Sequence, residues 1–319
     1  MSQVTVLRGA TILTLDEAGT VIENGDLVMD GETIAYAGPS GQYAVEAGAT
    51  VMDAGAMVAM PGFANCHTHS YGALLKGTVD DLPLDLFMVN AILGAGQRTL
   101  RDAYLSAKIS ALEMIMTGTT ACLDHFSHRP HLTGEAVDAV AQAYADAGVR
   151  AAVAPMFSDL AFRDTIPRAE SDMPQDVFEA IPGSPQDADP FFEMMSDAVP
   201  RWREHPRVNI MLGVDSPQRC TDALLDRAGA FCADHNIGNH THLLEAKTQW
   251  AMADQRAPGG FVAYLADKGL AGPLSSFAHF IWFTDEDLDR AAELGVCAVH
   301  NPASNLVLGS GIQPLTRLV

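Results

Sequence analysis

The rhythm of hydrophobic and polar positions changes once along the chain, near residue 57. Before that point, short alternating runs read as strands: Val4-Thr5-Val6-Leu7, Ala10 to Leu15, Asp26-Leu27-Val28-Met29 and Thr33 to Ala37. Asp30-Gly31 lies between the last two and is a hairpin signal, because both residues tolerate the positive φ of a tight turn. Residues 1–56 are therefore expected to form a small antiparallel β unit.

From residue 57 onward, apolar runs alternate with helical spacing. Seven runs read as strands: 57–66, 119–125, 150–155, 208–214, 237–242, 276–280 and 296–300. Between them, Arg98 to Met116 carries Leu105, Ile109, Leu112 and Met116 at helical intervals, with Gly118 as a stop. Glu135 to Ala147 ends at Gly148, and Asp222 to Asp234 is a third helix. A fourth opens on Thr284-Asp285-Glu286-Asp287, which has the form of a capping box, and stops at Gly295. Parallel neighbours need crossover connections, so this alternation implies a parallel sheet of the α/β class. Seven units over residues 57–319 suggest a (β/α)8 TIM-like barrel cut short before its eighth strand. A doubly wound open sheet usually carries a Gly-rich turn after its first strand. Here that place is held by His67-Thr68-His69. One stretch breaks the rhythm: Met156 to Pro200 is rich in proline and acids, and reads either as a lid over a site or as a solvated excursion.

Composition narrows the partners. A formal charge of −21 opposes binding to nucleic acid or to an anionic membrane surface. No apolar run is long enough to span a bilayer, and the opening residues lack the segments of a signal peptide, so a cytoplasmic protein is expected. The five cysteines are odd in number and contain no Cys-x-x-Cys, so they read as buried small side chains rather than disulfides or a zinc knot.

The histidines carry the chemistry. Of eleven, seven fall at or near the C-terminal ends of expected strands: His67, His69, His125, His240, His242, His279 and His300. In a parallel barrel those ends form one face, the face on which active sites are built. His128 and His131 read as loop, and His205 and His235 as surface. His67 and His69 lie one residue apart and so share a face if the strand continues to them. Glu245 stands three residues after His242 and could reach a bound water or substrate nitrogen. It would also suit the first turn of the following helix, where a carboxylate is favourable in any case.

These stretches together resemble the amidohydrolase superfamily, in the branch of cytosine and guanine deaminases, methylthioadenosine/S-adenosylhomocysteine deaminases and triazine hydrolases. The similarity is carried by Pro61-Gly62-Phe63 to His69, Leu74-Leu75-Lys76-Gly77, His242-Leu243-Leu244-Glu245, Ala278 to Thr284, and His300-Asn301-Pro302-Ala303-Ser304-Asn305 to Gly309. The resemblance implies that His67, His69 and His242 bind one divalent metal, usually zinc and sometimes iron. It implies that Glu245 shuttles a proton and that His279 orients the attacking hydroxide or the substrate. Asn301, Ser304 and Asn305 would shape the far wall, with His125, His240 and His300 around the pocket and Tyr71 and Trp282 as further wall residues. The N-terminal unit would be half of a composite β-sandwich.

The implied activity is hydrolytic deamination of an aminated N-heterocycle of nucleobase, nucleoside or pterin type. Two alternatives are removal of chloride or an amine from a triazine-like ring, and a barrel that keeps its metal but has lost catalysis. The partner would be a small molecule, with the full-length chain a homodimer. The resemblance also places a fourth ligand, an aspartate, beyond Val319, so residues 1–319 are expected to hold only part of the site.

Overall fold

The structure is a computed structural model, and it describes residues 4–79, 82–94, 96–165, 174–181 and 186–318. It forms two compact units, Met1–Phe63 and Ala64–Val319.

The first unit is a single five-stranded sheet. Strands β1 (Val4–Leu13), β2 (Val21–Asp30) and β3 (Thr33–Pro39) form an antiparallel meander, with Gly31 at φ 57° in the turn between β2 and β3. The sheet is mixed rather than purely antiparallel, because β4 (Thr50–Asp53) and β5 (Val58–Ala59) both pair parallel to β1. The run expected as one strand over 57–66 is consequently two. Val58–Ala59 completes the first sheet, and Phe63–Thr68 (β6) starts the second. Pro61 and Gly62 separate them, and proline has no N–H to continue a ladder.

The second unit is a near-closed parallel barrel. Its strands lie in the order β6, β7 (Thr119–Phe126), β8 (Arg150–Phe157), β10 (Leu212–Val214), β11 (Asn239–Leu243), β12 (Ser275–His279) and β13 (Cys297–Val299). Strand β9 (Val208–Ile210) pairs with the first half of β8 in the same register as β10, so the expected strand 208–214 is one line interrupted at Met211. Gly213 is required in that line. A Cβ there would sit 2.3 Å from the Pro155 carbonyl oxygen, closer than any side chain tolerates.

Helices α1 (Leu84–Gly94), α2 (Leu100–Met116), α3 (Gly134–Ala147), α4 (Gln175–Ala180), α5 (Asp189–Arg203), α6 (Asp222–His235), α7 (Lys247–Arg256), α8 (Phe261–Asp267), α9 (Asp285–Leu294) and α10 (Pro302–Val307) connect the strands. Several ends follow from local chemistry. Reciprocal capping boxes, Thr99 with Asp102 and Thr284 with Asp287, open α2 and α9. Gly148, Asn236 and Gly295 close α3, α6 and α9 in the left-handed region.

Two expectations are corrected. Helix α2 forms, but its buried face is Ala103, Ala107, Ala111 and Met114, while Ile109, Leu112 and Met116 are exposed. Small residues let α2 approach α3 closely, and that contact outweighs the stripe of larger side chains. The stretch Met156–Pro200 is not all irregular. Its end belongs to α5, which buries Phe191, Phe192, Met195, Val199 and Trp202, with Pro190 in the first turn and Pro200 inside the helix. Residues 166–173 and 182–185 of that stretch, with Pro167, Pro182 and Pro185, lie outside the described residues. Of the cysteines, Cys122, Cys220 and Cys232 are buried and Cys66 and Cys297 are exposed, all with free thiols. No helix among the described residues is long and apolar enough to cross a membrane.

Candidate metal centre

Barrel strands end on one face, and the histidine-bearing ends converge there. Six rings meet: His67 and His69 from the end of β6, His125 from β7, His240 and His242 from β11, and His279 from β12. Neighbouring centroids lie 4.7–6.1 Å apart. Three overlapping triads have ligand atoms within 4.8 Å of one another: His67/His242/His279, His69/His125/His242 and His67/His125/His240.

The hydrogen bonds fix which nitrogen faces the centre. A backbone carbonyl only accepts, so His69 Nδ1–H donates to the His125 oxygen at 2.7 Å, and His242 Nδ1–H donates to the Asp215 oxygen at 2.6 Å. In a neutral imidazole the other nitrogen is then a bare acceptor. The two acceptors, His69 Nε2 and His242 Nε2, face each other at 3.0 Å. Two lone pairs at that distance repel unless a positive charge lies between them. Nitrogen ligands of a tetrahedral zinc at about 2.0–2.1 Å stand about 3.3 Å apart, close to what is found here. The donor set therefore fits a divalent cation.

The electrostatics agree. Burial drives His67 well below the usual imidazole range, with His69, His242, His240 and His279 adding to the fall. Burial and the neighbouring His242 bring His69 down to about 3. Burial also works against a proton on His242, yet Asp215 and Glu245 overcome it and raise this one ring. The ring on which positive charge is most favoured is thus the one whose Nε2 faces that of His69.

Asp215, one residue past β10, holds His242. Burial pushes its carboxyl up, but Arg219, then His242 and His69, bring it down to about 2. It pairs with Arg219, and its Oδ1 lies 3.6 Å from His242 Nδ1. Asp124, the other strand-end aspartate, plays a different part. Its carboxylate accepts from the Ser70 backbone N–H at 2.9 Å and from the Tyr144 hydroxyl at 3.1 Å, pinning the turn after His69. His67 is held from behind, since its Nδ1 meets His240 Nε2 at 2.7 Å, and His240 Nδ1 meets Ser276 Oγ at 2.6 Å.

Glu245 and His279 form the other side. Both are nearly inaccessible, and Glu245 Oε1 lies 3.5 Å from His279 Nε2. His279 Nδ1–H donates to Asn305 Oδ1 at 2.7 Å, and its backbone N–H donates to Asn301 Oδ1 at 3.1 Å. The Gln249 amide donates to Glu245 Oε2 at 3.4 Å, one helical turn onward. Leu244, His279 and Phe280 all carry positive φ, at 50°, 70° and 39°. Such backbone strain in non-glycine residues costs of order 1–3 kcal/mol each and persists where surrounding contacts over-determine it.

A cavity of about 310 Å³ opens onto this face and is lined by His67, His69, His242, Glu245 and His279. Asn301 and Ser304 also line it, and so do Tyr71, Asp215 and Arg219. Its apolar wall is Phe87, Met88, Met156, Phe162 and Met252. Phe87 and Met88 belong to α1, Met156 to β8 and Met252 to α7, while Phe162 follows β8, so no single periodic signal in the sequence marks them. His125, His240 and Asn305 are buried behind the lining. His300, just past β13, is exposed and does not line the cavity, whereas the next residue, Asn301, does. Trp282 lies outside it too, donating from Nε1 to the Ser310 carbonyl at 2.8 Å. The Nδ1 of His128 meets the His131 carbonyl oxygen at 3.0 Å, away from the cluster.

The model of the amidohydrolase family matches residues 58–319. A 5-methylthioadenosine/S-adenosylhomocysteine deaminase of Desulforamulus reducens is 29% identical over 318 residues, covering 98% of this chain and 66% of the relative. A 5'-deoxyadenosine deaminase of Methanothermobacter thermautotrophicus is 30% identical over 261 residues, covering 82% of this chain and 55% of the relative. Among solved structures, a triazine hydrolase from Arthobacter aurescens superposes with a TM-score of 0.84 at 21% identity, over 99% of this chain and 69% of that one, which is likeness of fold. The chain spans between about half and two-thirds of the length of these two curated relatives.

Proposed function

This chain belongs to the amidohydrolase family, and we propose that it supplies the catalytic barrel of a zinc-dependent hydrolase that deaminates an aminated N-heterocycle of nucleobase, nucleoside or pterin type. The observation that carries the metal reading is the 3.0 Å approach of two Nε2 acceptors whose Nδ1 partners are both carbonyl oxygens. The deaminase names of the two curated relatives support the substrate class.

His67, His69 and His242 would hold the cation. A cation there supplies a Lewis acid that brings the pKa of water to about 7. The remaining steps fall to side chains. His279 Nδ1 is committed to Asn305, so its Nε2 and Glu245 Oε1, 3.5 Å apart, both stand as acceptors beside the cavity. Glu245 takes the proton of the attacking water and returns it to the amino nitrogen, so the C–N bond breaks with ammonia as leaving group. His279 orients the attacking oxygen, while Gln249 steadies the carboxylate. The apolar wall of Phe87, Met88 and Phe162 suits the face of a heteroaromatic ring.

The test is ammonia release by the zinc-loaded protein over a panel of purines, pyrimidines, pterins and triazines. Turnover of at least one aminated purine, pyrimidine or pterin is expected. Turnover confined to triazines, or none on any ring, contradicts the reading.

A further inference from the structure

Three carboxylates line the cavity, Asp85, Asp215 and Glu245, and among the described residues Arg219 is the one arginine or lysine that does so. Arg219 closes the short turn Pro217–Arg219 after β10, and only 14% of its side chain is exposed. A guanidinium carries five N–H donors and no acceptor. Among the described residues this one makes a single hydrogen bond, from Nη1 to Asp215 Oδ2. Its Nε is buried without a partner. Phe162, another cavity residue, has its ring centre 5.1 Å from the guanidinium carbon, so an aromatic face packs against the fork.

Buried donors without acceptors are costly, and native interiors avoid them. Neutralising Asp215 accounts for one arm of the guanidinium and leaves the rest unsatisfied. The cavity is polarised in consequence. Glu245 Oε1 and His279 Nε2 are acceptors, the side on which an amino group is taken up. Arg219 offers donors alone, and it is joined to His242 through Asp215. A flat ring with its amino group toward Glu245 turns another edge toward Arg219, and an acceptor on that edge completes the fork. Asp215 already balances the guanidinium's charge, which favours a neutral acceptor over an anionic one.

We propose that Arg219 is a specificity-determining residue that donates to an oxo oxygen on the substrate ring, so that aminated heterocycles carrying an oxo group are favoured over those without one. A conjugated ring carbonyl bears partial negative charge and presents lone pairs to a charged donor, whereas a C–H edge presents none. The inference rests on the deaminase reading above and narrows its substrates.

The test uses pairs of rings that differ by one oxo group: isoguanine with adenine, and guanine and cytosine each with its oxo-free form. Zinc-loaded wild type is set against Arg219→Leu and Arg219→Lys, and the readout is the ratio of kcat/KM within a pair. On at least one pair the wild type should favour the oxo member at least tenfold. That ratio should fall at least tenfold in Arg219→Leu. It should take an intermediate value in Arg219→Lys, which keeps a charge beside Asp215 but not the planar fork. Melting and zinc content identify a variant that has lost its fold or its metal, and if Arg219→Leu loses either, the ratio in Arg219→Lys decides. A residue that only steadies Asp215 would slow both members alike. An unchanged ratio in a folded, zinc-holding variant therefore overturns the assignment and leaves the deaminase reading intact, as does a wild-type ratio below tenfold on every pair. No turnover of any ring overturns the deaminase reading, and this inference with it.

Discussion

Glu245 and His279 stand at the ends of neighbouring strands with Oε1 and Nε2 3.5 Å apart, and both line the cavity. Glu245→Gln removes the proton carrier and keeps the shape. We expect kcat to fall by about 10²–10⁴-fold, with bound zinc per chain unchanged. Steady-state kinetics paired with metal analysis checks this, and a variant retaining wild-type kcat would remove Glu245 from the mechanism.

Asp215 should matter twice. It is ionised well below neutral pH and pairs with the largely buried Arg219, so Asp215→Asn leaves that guanidinium uncompensated. A loss of about 3–5 kcal/mol is expected in denaturant unfolding. His242 would keep its carbonyl partner but lose the nearby charge, so zinc affinity should fall by about 10–100-fold.

Gly213 links fold and site. Gly213→Ala forces β10 away from the Pro155 carbonyl, two residues before Asp215. Overpacking of this kind costs about 1–3 kcal/mol. The melting temperature and zinc affinity should drop together, whereas Gly272→Ala, with nothing within 4 Å of the added carbon, should change neither.

The pH dependence of the cation-free protein follows from His69. Its folded pKa is pushed to about 3, below the ordinary imidazole value of about 6.5. The unfolded chain therefore takes up the proton first. The stabilising contribution is complete above pH ~6.5 and is lost as pH falls toward the folded value, at up to about 1.4 kcal/mol per pH unit. Thermal melts of stripped protein between pH 7.5 and 5 should show a steady fall, shallower in His69→Ala.

Much of the barrel was legible because its strands and several of its helices carry local instructions. Thr284 and Asp287, Gly148 and Gly295 act within a few residues of themselves and can be read without the fold. The histidines were legible because strand ends share a face in any parallel barrel. What escaped depends on partners distant in sequence. The buried face of α2 is set by how closely Ala103, Ala107 and Ala111 let α3 approach, and no periodicity of large side chains reports that. Helix α5 was hidden by Pro190 and Pro200, which read as breaks although one sits in the first turn and the other within the last. His300 shows the converse error, since it has the right motif context but is exposed, while Asn301 beside it lines the cavity. Asp215 directly follows β10, but its role emerges only when Arg219 and His242 close on it.

The central claim is that the facing nitrogens of His69 and His242 mark a cation site, and counting zinc bound per stripped chain tests it most directly. The wild type should hold one tightly bound zinc and the His69→Ala/His242→Ala double variant none. No uptake by the folded wild type, or undiminished uptake by the folded double variant, would contradict it.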